Sequence, residues 1–436
     1  MYDVLILGAG PAGCLAAAGV KKSDPSLKVG IIERNIENKH RVGEALLTGT
    51  IYTLYDAGLI NVVRKGNWHR KIGATYRWGE NKEPWFVSYS QDAISPDYPI
   101  EMQDEFSRYT IHVPRDEFDK ELLQEVVKVY GVDLINARVT DLDIAGNNNK
   151  MVKSVTIDTG EVLHAQYYID ATGQSSILGR KVTERTPIFQ RRHAAYAYTP
   201  DIKWAIAESN GYHKNRTNIL SSEEGWMWFI HLGERGNNLT SIGVVSSKET
   251  IETLTPDNLF SKFPQIEVFG LSDKMTFKTY DNKALGKRLY RHPDYSFKCQ
   301  ELHGSNWSLC GDAGLFLDPI LSQGVTLATH YGFLRGIGAA EQLNGDSTSQ
   351  AHVTQHYLNE AAVLAEMVGY WYTHNEQAGD WKLKAADFVP NDNSVSNPFL
   401  WVTNLENIRN EYQVYSNNEQ IKINKALNLD EKYLIV

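Results

Sequence analysis

The opening thirteen residues constrain this chain more than any other stretch. An apolar run, Tyr2-Asp3-Val4-Leu5-Ile6-Leu7, passes directly into Gly8-Ala9-Gly10-Pro11-Ala12-Gly13, and the small residues Ala16, Ala17 and Ala18 follow. A second apolar run, Val29 to Ile32, ends in Glu33, twenty residues past Gly13. Strand, G-x-G-x-x-G turn, small-residue helix, second strand and acid together make the β-α-β dinucleotide fingerprint. In that motif Gly8 permits the tight turn, Gly10 lets a pyrophosphate approach the backbone, and Gly13 lets helix and strand pack closely. The helix N-terminus offers free N–H groups and a positive dipole end to the phosphates. Glu33 is placed to accept hydrogen bonds from an adenosine ribose, and an acid there disfavours a 2′-phosphate.

The chain has 436 residues, a formal net charge of −9 and 22% charged residues. That length can bury more than one core, and that charge argues against nucleic acid as the main partner. Three cysteines, Cys14, Cys299 and Cys310, form no disulfide framework and no metal-ligand spacing, so no metal is expected and a reducing, cytoplasmic setting fits. No apolar run approaches transmembrane length, and a fingerprint strand opening at residue 2 is expected of a chain without a signal peptide. Ten Trp and 23 Tyr allow either a stiff core with polar handles or a pocket for a flat aromatic ligand, and composition does not choose between them.

Further along, Pro114 and Arg115 open an amphipathic helix with Phe118, Leu122, Leu123 and Val126 on one face. Residues 132–170 read as a meander turned at Asn147-Asn148-Asn149 and Asp158-Thr159-Gly160. It closes in Asp170-Ala171-Thr172-Gly173. Gly225–Leu232 and Leu239–Ser246 belong to a second, antiparallel sheet. Trp307 to Ala313 is another buried strand ending in a glycine turn, and the chain from Gly324 is mostly helical. The expected architecture is α/β: a Rossmann-like nucleotide-binding domain at 1–185 and 290–345, an inserted antiparallel substrate sheet at 186–289, and a helical C-terminal region at 346–436. Tyr370-Trp371-Tyr372 and Trp381 read either as packing over a substrate mouth or as ordinary helix contacts, and 391–397 as a loop.

The order of fingerprint, D-A-T-G at Asp170 and G-D-A at Gly311-Asp312-Ala313 resembles the FAD-dependent hydroxylase superfamily. That resemblance implies that Asp312 and the amides after it contact the flavin, and that Arg115 contacts the cofactor. Within the superfamily the chain is most similar to the flavin-dependent halogenases acting on phenols and carrier-bound pyrroles. Gly43-Glu44-Ala45-Leu46-Leu47 is similar to G-E-S-L-L, and Lys71-Ile72-Gly73-Ala74 matches K-x-G-A. Trp226-Met227-Trp228-Phe229-Ile230 matches the start of W-x-W-x-I-P, and Asp318 to Gly324 matches D-P-x-x-S-x-G.

The resemblance implies FAD bound by Gly8, Gly10, Ala12, Gly13, Glu33, Arg34, Arg41, Glu44, Arg115, Asp170, Gly311, Asp312 and Gly324. It implies Lys71 as the catalytic residue, on the strand running through 73–78, and Trp226, Trp228, His231 and Ser322 along a tunnel. In such enzymes reduced flavin and O₂ turn chloride or bromide into hypohalous acid, which a buried lysine directs onto an electron-rich aromatic carbon. A single fingerprint implies that reduction comes from a separate flavin reductase or from free reduced flavin.

Three positions depart from the pattern: His231 stands for proline, Ala45 for serine and Thr48 for proline. Two readings therefore stay open. One is halogenation of a free or carrier-bound aromatic. The other is halide-independent oxygenation of a protein-bound tryptophan during tryptophylquinone cofactor biogenesis. The isoprenoid-acting reductase branch and a non-catalytic flavin scaffold fit the motifs less well.

Overall fold

The structure, a computed structural model, describes residues 1–373 apart from 38–39, 80–82, 90–98, 107, 147–149, 190–191 and 293–295. The Asn147–Asn149 turn, Trp381, the 391–397 loop and the region beyond 373 lie outside the described residues.

Strand β1 (Tyr2–Leu7) runs into helix α1 (Pro11–Ser23) and returns as β2 (Val29–Glu33). Pro at the first helical position costs no hydrogen bond, and Lys21 and Lys22 in the last turn complement the dipole. The chain then forms β3 (His69–Lys71), β4 (Gly73–Arg77), β5 (Trp85–Ser88) and β6 (Thr110–His112). Helix α2 (Arg115–Tyr130) follows and stops at Gly131, a left-handed cap that lacks a Cβ penalty. Next come β7 (Asp133–Asn136) and β8 (Ala165–Asp170). The substrate-side strands are β9 (His193–Thr199), β10 (Arg216–Ser222), β11 (Gly225–His231) and β12 (Thr240–Ser246). Short β13 (Tyr290–His292) and β14 (Trp307–Leu309) lead to helices α3 (Gly324–Leu343) and α4 (Ser349–Thr373).

Five strands form a parallel sheet in the order β14-β8-β1-β2-β7. Val4, Leu5, Ile6 and Leu7 are fully buried, as expected of a strand covered on both faces. The second sheet has seven strands in the order β13-β9-β12-β11-β10-β4-β5. It is mostly antiparallel, but β4 pairs with β10 in parallel, and β4, β5 and β13 come from outside residues 186–289. The substrate sheet is therefore assembled from three stretches of chain. Sequence order could not reveal this, because β4 and β10 are brought together only by tertiary pairing. Lys71 also departs from expectation. It ends the separate two-stranded ladder β3–β6 rather than lying on β4. Gly73, at φ +152, turns the backbone between them, and a Cβ there would come within 2.0 Å of the Val87 carbonyl.

Helix α3 lies against α1 at unusually close range. A Cβ on Gly336 would stand 2.0 Å from the Ala16 carbonyl oxygen, and one on Gly332 would stand 2.4 Å from that of Ala12. Glycines spaced by four on α3 thus let its backbone touch α1, which draws the start of α3 at Gly324 toward the fingerprint turn.

Candidate active site

A cavity of about 370 Å³, within the range typical of ligand pockets, runs from the fingerprint turn to the second sheet. Gly8, Gly10, Ala12, Glu33 and Arg34 line one end. Arg41, Glu44, Arg115, Asp312, Ser322 and Gly324 line its middle, and Trp226, Trp228, Ile230 and Thr217 its far end. The turn has the shape a dinucleotide needs. A Cβ on Gly10 would meet nothing within 4 Å, so that backbone is open to a pyrophosphate, whereas one on Gly13 would stand 2.0 Å from the Gly8 carbonyl. Glu33 accepts N–H bonds from Ala9 at 2.9 Å and Asn35 at 3.0 Å. Those bonds hold the carboxylate in the cavity wall beside the turn, where the motif places a ribose. These residues fit a dinucleotide cofactor.

Other expected contacts have different duties. Asp170 does not line the cavity. Its carboxylate accepts from the Thr172 amide and hydroxyl (2.9 and 2.6 Å) and from the Leu178 and Gly179 amides (2.8 and 3.1 Å). That occupies its acceptor sites and shapes the 170–179 turn. Gly13 and Gly311 act through packing: Gly311, at φ +55, leaves 3.1 Å between its Cβ position and Ala12 Cβ. Arg115 donates to both oxygens of Asp119 at 2.9 Å and to the Val42 carbonyl at 3.0 Å, so it ties the 42–44 loop to α2. Glu44 accepts from the Tyr198 hydroxyl at 2.9 Å and the Gly43 amide at 3.2 Å, and burial pushes its carboxyl up despite them. Asp312 is pushed up to about 6 by burial, which the Arg115 guanidinium opposes.

At the far end, Trp226, Trp228 and Ile230 alternate onto the cavity face of β11. Trp228 lies flat over Gly243, whose Cβ would fall 2.0 Å from the indole, and donates to Ser241 Oγ at 3.1 Å. Trp226 donates to the Tyr372 hydroxyl at 2.8 Å, and that hydroxyl donates onto the Asp318 carboxylate at 3.0 Å. Asp318 also accepts from the Ile320 amide at 2.9 Å, capping the turn that delivers Ser322 at φ +59. His231 takes the opposite face of β11. Its ring packs on His69 and Trp204, with centroids 4.9 and 5.6 Å away, and bonds Thr240 Oγ1 at 3.3 Å. Period-two alternation turns it away from the two tryptophans, so the structure does not bring its side chain to the cavity.

Lys71 is 2% exposed. Its Nζ donates to the Leu46 carbonyl at 3.1 Å and stands 5.9 Å from the Tyr89 ring centre. No carboxylate pairs with it among the described residues, and burial pushes its pKa down to about 7. Lys71 does not itself line the cavity, but Ala45, beside Leu46, does. Next to Lys71 stands His112, fully buried and bridged at its backbone to Ala45. Its ring bonds the His231 carbonyl and Thr217 Oγ1, both at 3.1 Å. His112 and Thr217 were not singled out from the sequence, and Tyr372 was read only as packing over a substrate mouth or as an ordinary helix contact. The D-P-x-x-S-x-G match held Asp318 but gave no sign of its tie to Tyr372.

Among the described residues no group of His, Cys, Asp and Glu side chains is arranged to hold a metal ion, and no helix is long and apolar enough to cross a membrane.

A nucleotide cradle opening onto a tryptophan-lined pocket with a buried lysine at its edge defines a flavoprotein-like site. The tryptophan halogenase family model matches residues 3–99 and 91–388, and the chain belongs to that family. It is 25% identical over 384 residues to the 1H-pyrrole-2-carbonyl-[peptidyl-carrier protein] chlorinase of Pseudomonas fluorescens, covering 85% of this chain and 82% of that protein. The crystal structure of a flavoprotein/dehydrogenase from Cytophaga hutchinsonii superposes with a TM-score of 0.72 at 25% identity, covering 97% and 95% of the two chains. The myxobacterial chondrochloren halogenase CndH, described as a variant of FAD-dependent halogenases, superposes with a TM-score of 0.71 at 26% identity, covering 90% and 87%. None of these relatives is described as oxygenating a protein-bound tryptophan.

Proposed function

We propose that this chain is an FAD-dependent halogenase acting on an electron-rich aromatic ring, with a carrier-tethered pyrrole or phenol as the substrate class. The observation that carries the reading is Lys71: a buried cation that pairs with no carboxylate among the described residues and donates to the Leu46 carbonyl, next to Ala45 in the wall of the cavity that Trp226 and Trp228 also line. The family membership and the carrier-bound pyrrole named for the Pseudomonas relative support it.

FAD, when bound, supplies with O₂ the two-electron oxidation of halide. The chain's own residues do the rest. Gly8, Gly10, Ala12 and Glu33 hold the dinucleotide end, and the Arg115–Asp119 pair fixes the loop that carries Glu44. Trp226 and Trp228 wall the passage and keep water and substrate from the flavin end. Lys71, near its midpoint of titration at neutral pH, donates a proton or hydrogen bond to hypohalous acid, as an acid matched to the working pH does.

The test is Lys71→Ala in the FAD-loaded protein, supplied with reduced FAD, O₂ and bromide. The flavin should reoxidise at an unchanged rate while halogenated product falls by at least about a hundredfold. Product at the wild-type level would remove Lys71 from the mechanism.

A further inference from the structure

We propose that His112 is a positioning residue that, through the Thr217 hydroxyl, draws off the proton an aromatic carbon loses as it takes up halogen; this rests on the halogenase reading above. The hydrogen bonds fix the direction of the relay. A backbone carbonyl only accepts, so the 3.1 Å bond to the His231 oxygen requires the hydrogen on His112 Nδ1. The neutral ring then presents its lone pair at Nε2, and the Thr217 hydroxyl donates to it at 3.1 Å. Thr217 lines the cavity, which leaves its oxygen to accept from that side.

Burial above all keeps the His112 ring neutral at rest, and the groups facing it add to this. They are Lys71 and His69 on the neighbouring strand β3, with His231 beside them, all cationic or neutral, and the ring is fully buried. The carbonyl that fixes the tautomer belongs to the backbone of residue 231, so it persists whichever side chain stands there.

The step balances. The ring carbon attacks the halogen of hypohalous acid, the C–halogen bond forms, and the O–halogen pair leaves with oxygen. Carbon is oxidised by two electrons and halogen reduced by two. The departing oxygen takes a proton from the Lys71 ammonium and leaves as water. The ring proton passes to the Thr217 oxygen as the hydroxyl's own proton moves to His112 Nε2. An arenium ion is a far stronger acid than imidazolium, so a histidine weakened by burial still accepts. Lys71 is then neutral and His112 charged, and one proton returned between them restores the start. Thr110 lies directly across the ladder from Lys71 and two residues from His112. Its buried hydroxyl has no protein partner among the described residues, and it offers the intervening group.

The FAD-loaded protein, with reduced FAD, O₂ and bromide, is given phenol against ring-deuterated phenol, and separately a pyrrole-2-carbonyl group loaded on a carrier protein. Wild type and Thr217→Ser should show no primary isotope effect. Thr217→Val, which keeps the shape, and His112→Gln, which keeps both hydrogen bonds but cannot hold the proton, should show one, with turnover down about a hundredfold. In ¹⁵N-histidine spectra of the wild-type holoenzyme His112 should be the Nδ1–H tautomer. An Nε2–H tautomer, an imidazolium at neutral pH, or active variants without an isotope effect overturns the relay alone. A wild type that halogenates neither probe overturns the halogenase reading, and the relay with it.

Discussion

A lysine held inside a protein by one carbonyl costs stability, and Lys71 makes that cost measurable. Burial lowers its pKa from 10.5 to about 7, so between those values the unfolded chain binds a proton that the native chain does not. Stability therefore rises with pH across that window, and the full penalty, on the order of 1.4 kcal/mol per pKa unit, is felt below it. Lys71→Met should raise the melting temperature most at pH 6, and the gain should shrink as pH climbs toward 10. A gain independent of pH would mean that Lys71 is not buried as described. His231 gives a second residue-scale outcome. Its ring faces His69 and Trp204 rather than the tryptophans, so His231→Gln should leave the ratio of halogenated to oxygenated product unchanged by mass spectrometry. A shifted ratio would return that side chain to the tunnel. The residues legible in the sequence were those whose neighbours are close in sequence: Gly8, Gly10 and Gly13 within one turn, Trp226 and Trp228 on one strand face. His112 and Thr217 lie 105 positions apart, and only folding makes them partners.

At the scale of elements, two contacts connect helices to the site. Gly336 lets α3 rest on α1, so Gly336→Val forces a side chain into the Ala16 carbonyl and pushes the helices apart. It should cost about 1–3 kcal/mol in urea unfolding and weaken FAD binding, because α3 begins at Gly324 in the cavity wall. Unchanged FAD affinity in a destabilised variant would separate the packing from the site. Tyr372 bonds both Trp226 and Asp318 from the last turn of α4. Tyr372→Phe leaves the indole N–H and a buried carboxylate short of a partner and should cost about 1–3 kcal/mol, with a shift in tryptophan fluorescence. An unfolding midpoint and an emission spectrum both like wild type would show that the link carries no load. Elements were largely readable from apolar runs and glycine turns: α2 opens at Arg115 and β8 closes at Asp170 as expected. The pairing of β4 with β10 was not, since a parallel contact across that much sequence has no local signature.

At the scale of the molecule, one β-α-β fingerprint serves one dinucleotide, and the chain's second sheet is given over to an aromatic pocket. Mixing the FAD-loaded protein with NADH or NADPH should therefore reduce the flavin far more slowly than adding a flavin reductase or free reduced FAD does. Rapid reduction by the nicotinamide alone would place hydride transfer within this chain. The overall plan was legible because the fingerprint, the G-D-A turn and the four halogenase-like segments are each short and local. The split of the tryptophan-lined sheet among three stretches was not, because it depends on which strands meet. If the cavity running from Gly10 to Trp226 delivers oxidised halide to an aromatic ring, halogen must appear on that ring only when halide is supplied. Mass spectrometry of a carrier-loaded pyrrole treated with the protein, reduced FAD and O₂, with and without bromide, tests it most directly. The product should carry a bromine isotope doublet that disappears when bromide is withheld. A gain of oxygen mass that is indifferent to bromide would contradict it.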